Sequence, residues 1–140
     1  SLAWRQGIVL AGQSAGAMCW FEEAVSGFHG EPQRLRGMGL LPFSNCVHYE
    51  RGGNRSEAYH RFLREGMCGG YAAEDGAALH FSGEELSRVV ASRPEARGYR
   101  LDVAGQRVVE MQIATTYLGE RDEAAPAAPF PEALSTAPAA

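Results

Sequence analysis

A serine held between glycines, Gly12-Gln13-Ser14-Ala15-Gly16, follows the apolar run Ile8-Val9-Leu10-Ala11 and precedes a run of good helix formers. That order of buried strand, tight turn and helix is a nucleophile elbow. The turn is so sharp that small residues must flank the serine, and its Oγ projects at the edge of the sheet. The helix that follows lends its N-terminal dipole, and the N–H of Ala15 is placed to donate to a developing oxyanion. The five-residue pattern alone is weak, since roughly one chain in ten of this size and glycine content would match it by chance. The strand before it and the helix after it give it meaning.

A nucleophilic serine needs a base. Four histidines are available: His29, His48, His60 and His80. His60 falls in an amphipathic helical stretch and His80 in a hairpin strand, where a polar residue on a solvated face is the plainer account. His48 ends an extended segment just past Leu40-Leu41-Pro42, and a side chain presented from a strand end reaches a site at the carboxyl edge of a sheet. His29, in a Gly-bounded loop, is the alternative base. Cys19, five residues after Ser14, reads as a small buried hydrophobe. Trp20 and Phe21 read as residues that pack the elbow helix onto the sheet.

Other elements must hold these residues in place. The pattern predicts a short helix end over residues 1–6, a strand over 8–11, and a helix from about Ala15 to Ala24. A loop over Ser26 to Met38 follows, then an extended piece around Asn45 to Tyr49. Asn54 or Ser56 can cap a helix in which Tyr59, Phe62, Leu63 and Met67 recur at helical spacing. Beyond it the chain reads as strands. Tyr71-Ala72-Ala73 and Ala77 to Phe81 flank the turn Glu74-Asp75-Gly76, and Tyr99 to Val103 and Val108 to Ile113 flank Ala104-Gly105-Gln106.

The folded part spans 1–121. The last 18 residues, Glu123 to Ala140, hold 8 Ala and 4 of the 7 prolines, so 122–140 reads as a flexible tail.

Composition narrows the function classes. With 140 residues, 45% hydrophobic and 21% charged, the chain has the make-up of a soluble globular domain. Its net charge of -4 offers neither nucleic acid nor an anionic membrane an electrostatic attraction. Mean hydropathy is -0.25, and no apolar stretch approaches the ~18 residues of a membrane span. All 13 basic residues are arginines, a bias given no functional weight. The three cysteines, Cys19, Cys46 and Cys68, lack any CxxC spacing, so neither a disulfide framework nor a zinc site is indicated. The expectation is a reducing, cytoplasmic setting with no metal and no cofactor.

Taken together, Ala11-Gly12-Gln13-Ser14-Ala15-Gly16-Ala17-Met18-Cys19-Trp20-Phe21-Glu22, Gly37-Met38-Gly39-Leu40-Leu41-Pro42 and Cys46-Val47-His48-Tyr49-Glu50 resemble the peptidase E family. These are serine peptidases that include aspartyl dipeptidase and cyanophycinase. Arg55 with Tyr59, and Glu74-Asp75-Gly76-Ala77-Ala78-Leu79, are further matches, and the resemblance covers about residues 4 to 119. It implies an α/β fold of the class I glutamine-amidotransferase-like (flavodoxin-like) kind: a parallel sheet with flanking helices, plus β-hairpins. It also implies a Ser14 nucleophile, a His48 base, and hydrolysis of short peptides, in the best-known members dipeptides with an N-terminal aspartate. Relatives of this kind suggest a homodimer.

The third member of the triad departs from that pattern. The family places a carboxylate between serine and histidine, and no Asp lies between Ser14 and His48. Glu22, Glu23 and Glu31 are the carboxylates in that interval; Glu31, at about the expected separation, is the expected orienter, and Asp75 from the later turn is an alternative. Arg55 matches the family's arginine after the histidine, and its guanidinium can take an aspartyl carboxylate in a bidentate fork. Arg51 is a substitute.

Two other readings remain. An α/β-hydrolase esterase would place its histidine much farther from the serine, and a catalytically silent relative binding a small acidic peptide or metabolite would explain the missing Asp. Finally, an elbow belongs in the middle of a parallel sheet with several βα units before it. Only one strand is expected before Ser14, so roughly a hundred residues of N-terminal structure are expected to be supplied by the same protein, this chain being its C-terminal part.

Overall fold

The computed structural model of the chain describes residues 2–28 and 30–119. The expected tail at 122–140 and the alternative base His29 lie outside the described residues. Among the described residues three helices are seen, α1 (Leu2–Arg5), α2 (Ala15–Met18) and α3 (Asn54–Arg64). The strands are β1 (Phe21–Ser26), β2 (Gln33–Arg36), β3 (Leu41–Val47), β4 (Gly70–Ala73), β5 (Ala77–Ser82), β6 (Glu85–Ala91), β7 (Gly98–Ala104), β8 (Arg107–Ile113) and β9 (Thr115–Tyr117). Six of them form a sheet in the order β2-β1-β3-β4-β7-β8, and β5-β6-β9 form a second sheet. The chain is a mixed α/β protein.

The centre of the large sheet is parallel. β1 pairs parallel with β3 and β3 with β4, whereas β2, β7 and β8 are antiparallel additions at its flanks. Parallel strands buried on both faces read as continuous apolar or small runs, and β3 carries four successive buried residues, Ser44 to Val47. α3 covers one face because Ala58, Tyr59 and Leu63 recur on one side of it and are all buried. Glu57 in its first turn and Arg61 and Arg64 in its last suit the helix dipole. Its Tyr59 and Leu63 form a core with Val25, Cys46, Ala72 and Leu101 of the sheet beneath it. Burial pushes the Cys46 thiol up to about 12.

On the opposite face, Phe81 of β5 packs edge-on against Phe21 (5.7 Å) and Tyr71 (5.2 Å), joining the second sheet to the first. The Arg100 guanidinium lies over Phe43 and Tyr71, 5.0 and 4.8 Å from the ring centroids.

Four local expectations are corrected. Ile8-Val9-Leu10-Ala11 is not a paired, buried strand: Ile8 is 55% and Val9 88% exposed, because no strand among the described residues pairs with it. The helix expected to reach Ala24 ends at Met18, and Phe21–Ser26 is strand. The reason is tertiary, since Phe21, Ala24 and Val25 are buried between β2 and β3. The loop expected over Ser26 to Met38 contains β2, a fully exposed edge strand whose Gln-Arg-Leu-Arg gives no apolar period. Finally, β4 and β5 flank the 74–76 turn without pairing to each other, because β4 is already taken by β3 and β7. The β7–β8 hairpin and the α3 helix lie where the pattern puts them.

Candidate active site

The elbow is tight for a steric reason. A Cβ on Gly12 would overlap the carbonyl of Gly16, so the turn closes only with glycine at that position. Gly16 N–H donates to Gln13 O and Ala17 N–H to Ser14 O, both at 2.9 Å. Ser14 opens α2 with φ 51° and ψ -121°, a conformation that costs a non-glycine residue on the order of 1–3 kcal/mol. Among the described residues the non-glycine positions with positive φ are Ser14 and His48, the latter at φ 52°. Strain of this kind collects where surrounding structure over-determines a residue.

These two residues meet. Ser14 Oγ lies 2.9 Å from His48 Nε2 across 34 residues of chain, and His48 Nδ1 meets Asp75 Oδ1. A carboxylate only accepts, so Nδ1 carries the proton and Nε2 is left to accept from the serine hydroxyl. His48 and Asp75 side chains are 44% and 65% exposed. Such a chain of contacts can withdraw the serine proton and hold the resulting imidazolium against a carboxylate.

Asp75, rather than the expected Glu31, is the carboxylate on His48. Glu31 is exposed on the segment between β1 and β2. The cause is strand register: β3 and β4 are parallel neighbours with Val47 opposite Ala73, so the turns that follow them leave the sheet side by side. Glu22 is exposed. Glu23 is committed elsewhere: it accepts from Arg34 Nε at 2.7 Å and from Cys68 N–H at 3.2 Å. Burial opposes its ionisation, but the Arg34 hydrogen bond and charge and the Cys68 N–H together hold its carboxyl below the usual range. Burial, then the Glu23 charge, pushes the Cys68 thiol up to about 11.

The turn bearing Asp75 is clamped by segment 92–97. Ser92 N–H donates to Gly76 O at 2.8 Å and Arg93 Nη2 to Asp75 O. Glu74 N–H donates to Arg97 O at 3.0 Å, and Arg97 N–H returns a bond to Glu74 Oε2 at 2.9 Å. Gly76 has φ 90°, a left-handed position that suits glycine. A cleft of about 260 Å³ beside His48 is lined by His48, Tyr49, Glu50, Glu74, Asp75 and Arg93.

Arg55 is half-buried. Its Nη1 donates to Val47 O at 3.1 Å, bracing the backbone one residue before His48, and a Cβ on Gly27 would press on its guanidinium. Arg51 pairs with Glu110 at 2.7 Å. His60 lies 3.1 Å from the Tyr49 hydroxyl and 3.2 Å from Glu110, and His80 accepts from Arg88 at 3.1 Å. Cys19 Sγ donates to Gly16 O at 3.1 Å. Ala15 sits in the first turn of α2. Among the described residues no group of three or more His, Cys, Asp or Glu could hold a metal ion, and no helix is long and apolar enough to cross a membrane. Sequence reasoning did not single out Arg93 and Arg97, which reach the 74–76 turn from the segment between β6 and β7, or Tyr99, which reaches it from β7; the Asp-Gly turn itself is the available signal.

Residues 1–89 match the family described as Peptidase family S51. The chain is 44% identical over 118 residues to a Bacillus subtilis (strain 168) protein named uncharacterized peptidase YgaJ, over 84% of this chain and 51% of that protein. The chain therefore spans about half the length of the curated relative that it matches. No solved structure matches.

Proposed function

The chain belongs to peptidase family S51, and from that membership we propose that it carries the catalytic residues of a serine peptidase acting on short peptides. Ser14 is the nucleophile, His48 the base and Asp75 the orienting carboxylate. The observation that carries this reading is the unbroken contact from Ser14 Oγ through His48 to Asp75. His48 takes the serine proton as Oγ attacks the carbonyl, the Ala15 N–H donates to the oxyanion, and His48 returns the proton to the leaving amine. Water then hydrolyses the acyl-enzyme by the reverse proton path. The silent-relative reading rested on a missing carboxylate, and Asp75 on Nδ1 favours the active one.

Dipeptides with an N-terminal aspartate are the proposed substrates, with Arg55 reading the side-chain carboxylate. One Arg55 donor is spent on Val47; a guanidinium has five. The parallel β1-β3-β4 core agrees with a glutamine-amidotransferase-like sheet. The exposed Ile8 and Val9 suit pairing with further strands of the same protein, which would also bring a second oxyanion donor. Three unpaired cysteines favour a reducing, cytoplasmic setting.

A fluorophosphonate probe tests the reading. Ser14 should be labelled, and Ser14→Ala should abolish both labelling and hydrolysis of Asp-X dipeptides. A folded chain, assayed with any longer form of the protein, that takes no label at Ser14 would sink it.

A further inference from the structure

His48 and Asp75 stand in turns that are largely open to solvent; strand register and the 3.0 Å bond from Tyr49 N–H to Ala73 O bring those turns to one edge, and a second constraint lies one layer below. Tyr49, which follows His48, is 2% exposed, and Tyr99 of β7 is 3% exposed. Their rings pack with centroids 5.3 Å apart, tilted by 49°. Each hydroxyl ends on a carboxylate. Tyr49 donates to Glu110 Oε2 on β8, and Tyr99 donates at 2.6 Å to Glu74 Oε1, on the residue before Asp75. Arg51 closes the ring, pairing with Glu110 and lying 5.9 Å from the Tyr99 ring centroid.

We propose that Tyr49 and Tyr99 are positioning residues, a buried tyrosine pair whose two carboxylate-anchored hydroxyls set the distance between His48 and Asp75. The inference rests on the reading that Ser14, His48 and Asp75 act together. Glu74 is fully employed in it, one oxygen holding Tyr99 and the other the Arg97 N–H. Burial, reinforced by the carboxylate each one meets, pushes both phenols up, Tyr99 to about 12. Both therefore stay protonated donors through the neutral range. A rigid aromatic contact transmits position well because interiors are packed to near crystal density, whereas exposed turns alone do not hold hydrogen-bond geometry.

Tyr99→Phe and Tyr49→Phe keep the rings and remove only the anchors. The reporter is the His48 Nδ1–H proton, whose resonance should lie well downfield in the wild-type chain and vanish in Asp75→Asn. In either Phe variant that resonance should broaden or disappear, and fluorophosphonate labelling should slow about 10-fold, with KM for an Asp-X dipeptide changed less than about twofold. Two folded Phe variants with the wild-type resonance and labelling rate overturn the proposal. If the wild type shows the resonance but takes no label, the catalytic reading fails, and the resonance in the Phe variants still decides the positioning.

Discussion

Val47 and Ala73 face each other on adjacent parallel strands, and each is the last residue of its strand. The chain therefore delivers His48 and the Glu74-Asp75 turn to the same sheet edge, although 27 residues separate His48 from Asp75. That edge is where open α/β sheets place their ligands.

Asp75→Asn should lower kcat about a thousandfold or more, because an amide in its place favours the wrong imidazole tautomer. Glu31→Gln should change kcat less than about twofold. Steady-state hydrolysis of an Asp-X dipeptide measures both, and the reverse ranking would return the orienting role to Glu31.

Strain at Ser14 separates stability from activity. Glycine adopts φ 51° without a Cβ penalty, so Ser14→Gly should raise stability by about 1 kcal/mol while abolishing labelling. Gly12→Ala should lower stability, since its methyl overlaps the Gly16 carbonyl. Thermal melts of the two variants check the signs, and a destabilised Ser14→Gly would show that the elbow is not strained.

Arg55→Ala should cost about 2 kcal/mol in kcat/KM for Asp-X dipeptides and leave a neutral ester little changed. An equal loss on both substrates would assign Arg55 solely to bracing the Val47 carbonyl.

Glu23 links stability to acid. Burial opposes ionisation, but Arg34 and the Cys68 N–H hold its folded-state carboxyl below the ordinary value of 4.5, so its contribution is present above about pH 4.5 and is lost as pH falls through the lower folded value. Urea denaturation should show wild type more stable than Glu23→Gln near neutral pH, with the gap closing below pH 4.5. A gap that widens in acid would reverse the sign.

Leu63→Ala should destabilise the fold by about 2–5 kcal/mol, since Leu63 is 1% exposed where α3 meets the sheet. Chemical denaturation measures it, and a loss below about 1 kcal/mol would mean that α3 is not a core element.

Much of the site was legible locally. A glycine two residues before a serine, with a helix after it, declares a turn whose sterics involve only neighbours, and Gly12 meets Gly16 within that same turn. His48 stood out because an extended run ended there. α3 and the β7–β8 hairpin were legible through the 3.6-residue period of Tyr59 and Leu63 and the Ala104-Gly105-Gln106 turn. β1 was not, because Phe21 to Ser26 carries no strand period and becomes strand only when β2 and β3 flank it.

The sequence by itself determined the elbow, the serine, the histidine and the family to which they belong, since each rests on residues close in the chain. Only the tertiary structure decided which carboxylate meets His48 and what braces it. Glu31 and Asp75 are both carboxylates within reach of His48 along the chain, and the separation that favours Glu31 says nothing of which one the fold brings to the imidazole. Register does: the parallel pairing of β3 with β4, and the return of β7 beside β4, are long-range hydrogen-bonded ladders, and they bring Asp75, Tyr99 and His48 to one edge while leaving Glu31 in solvent.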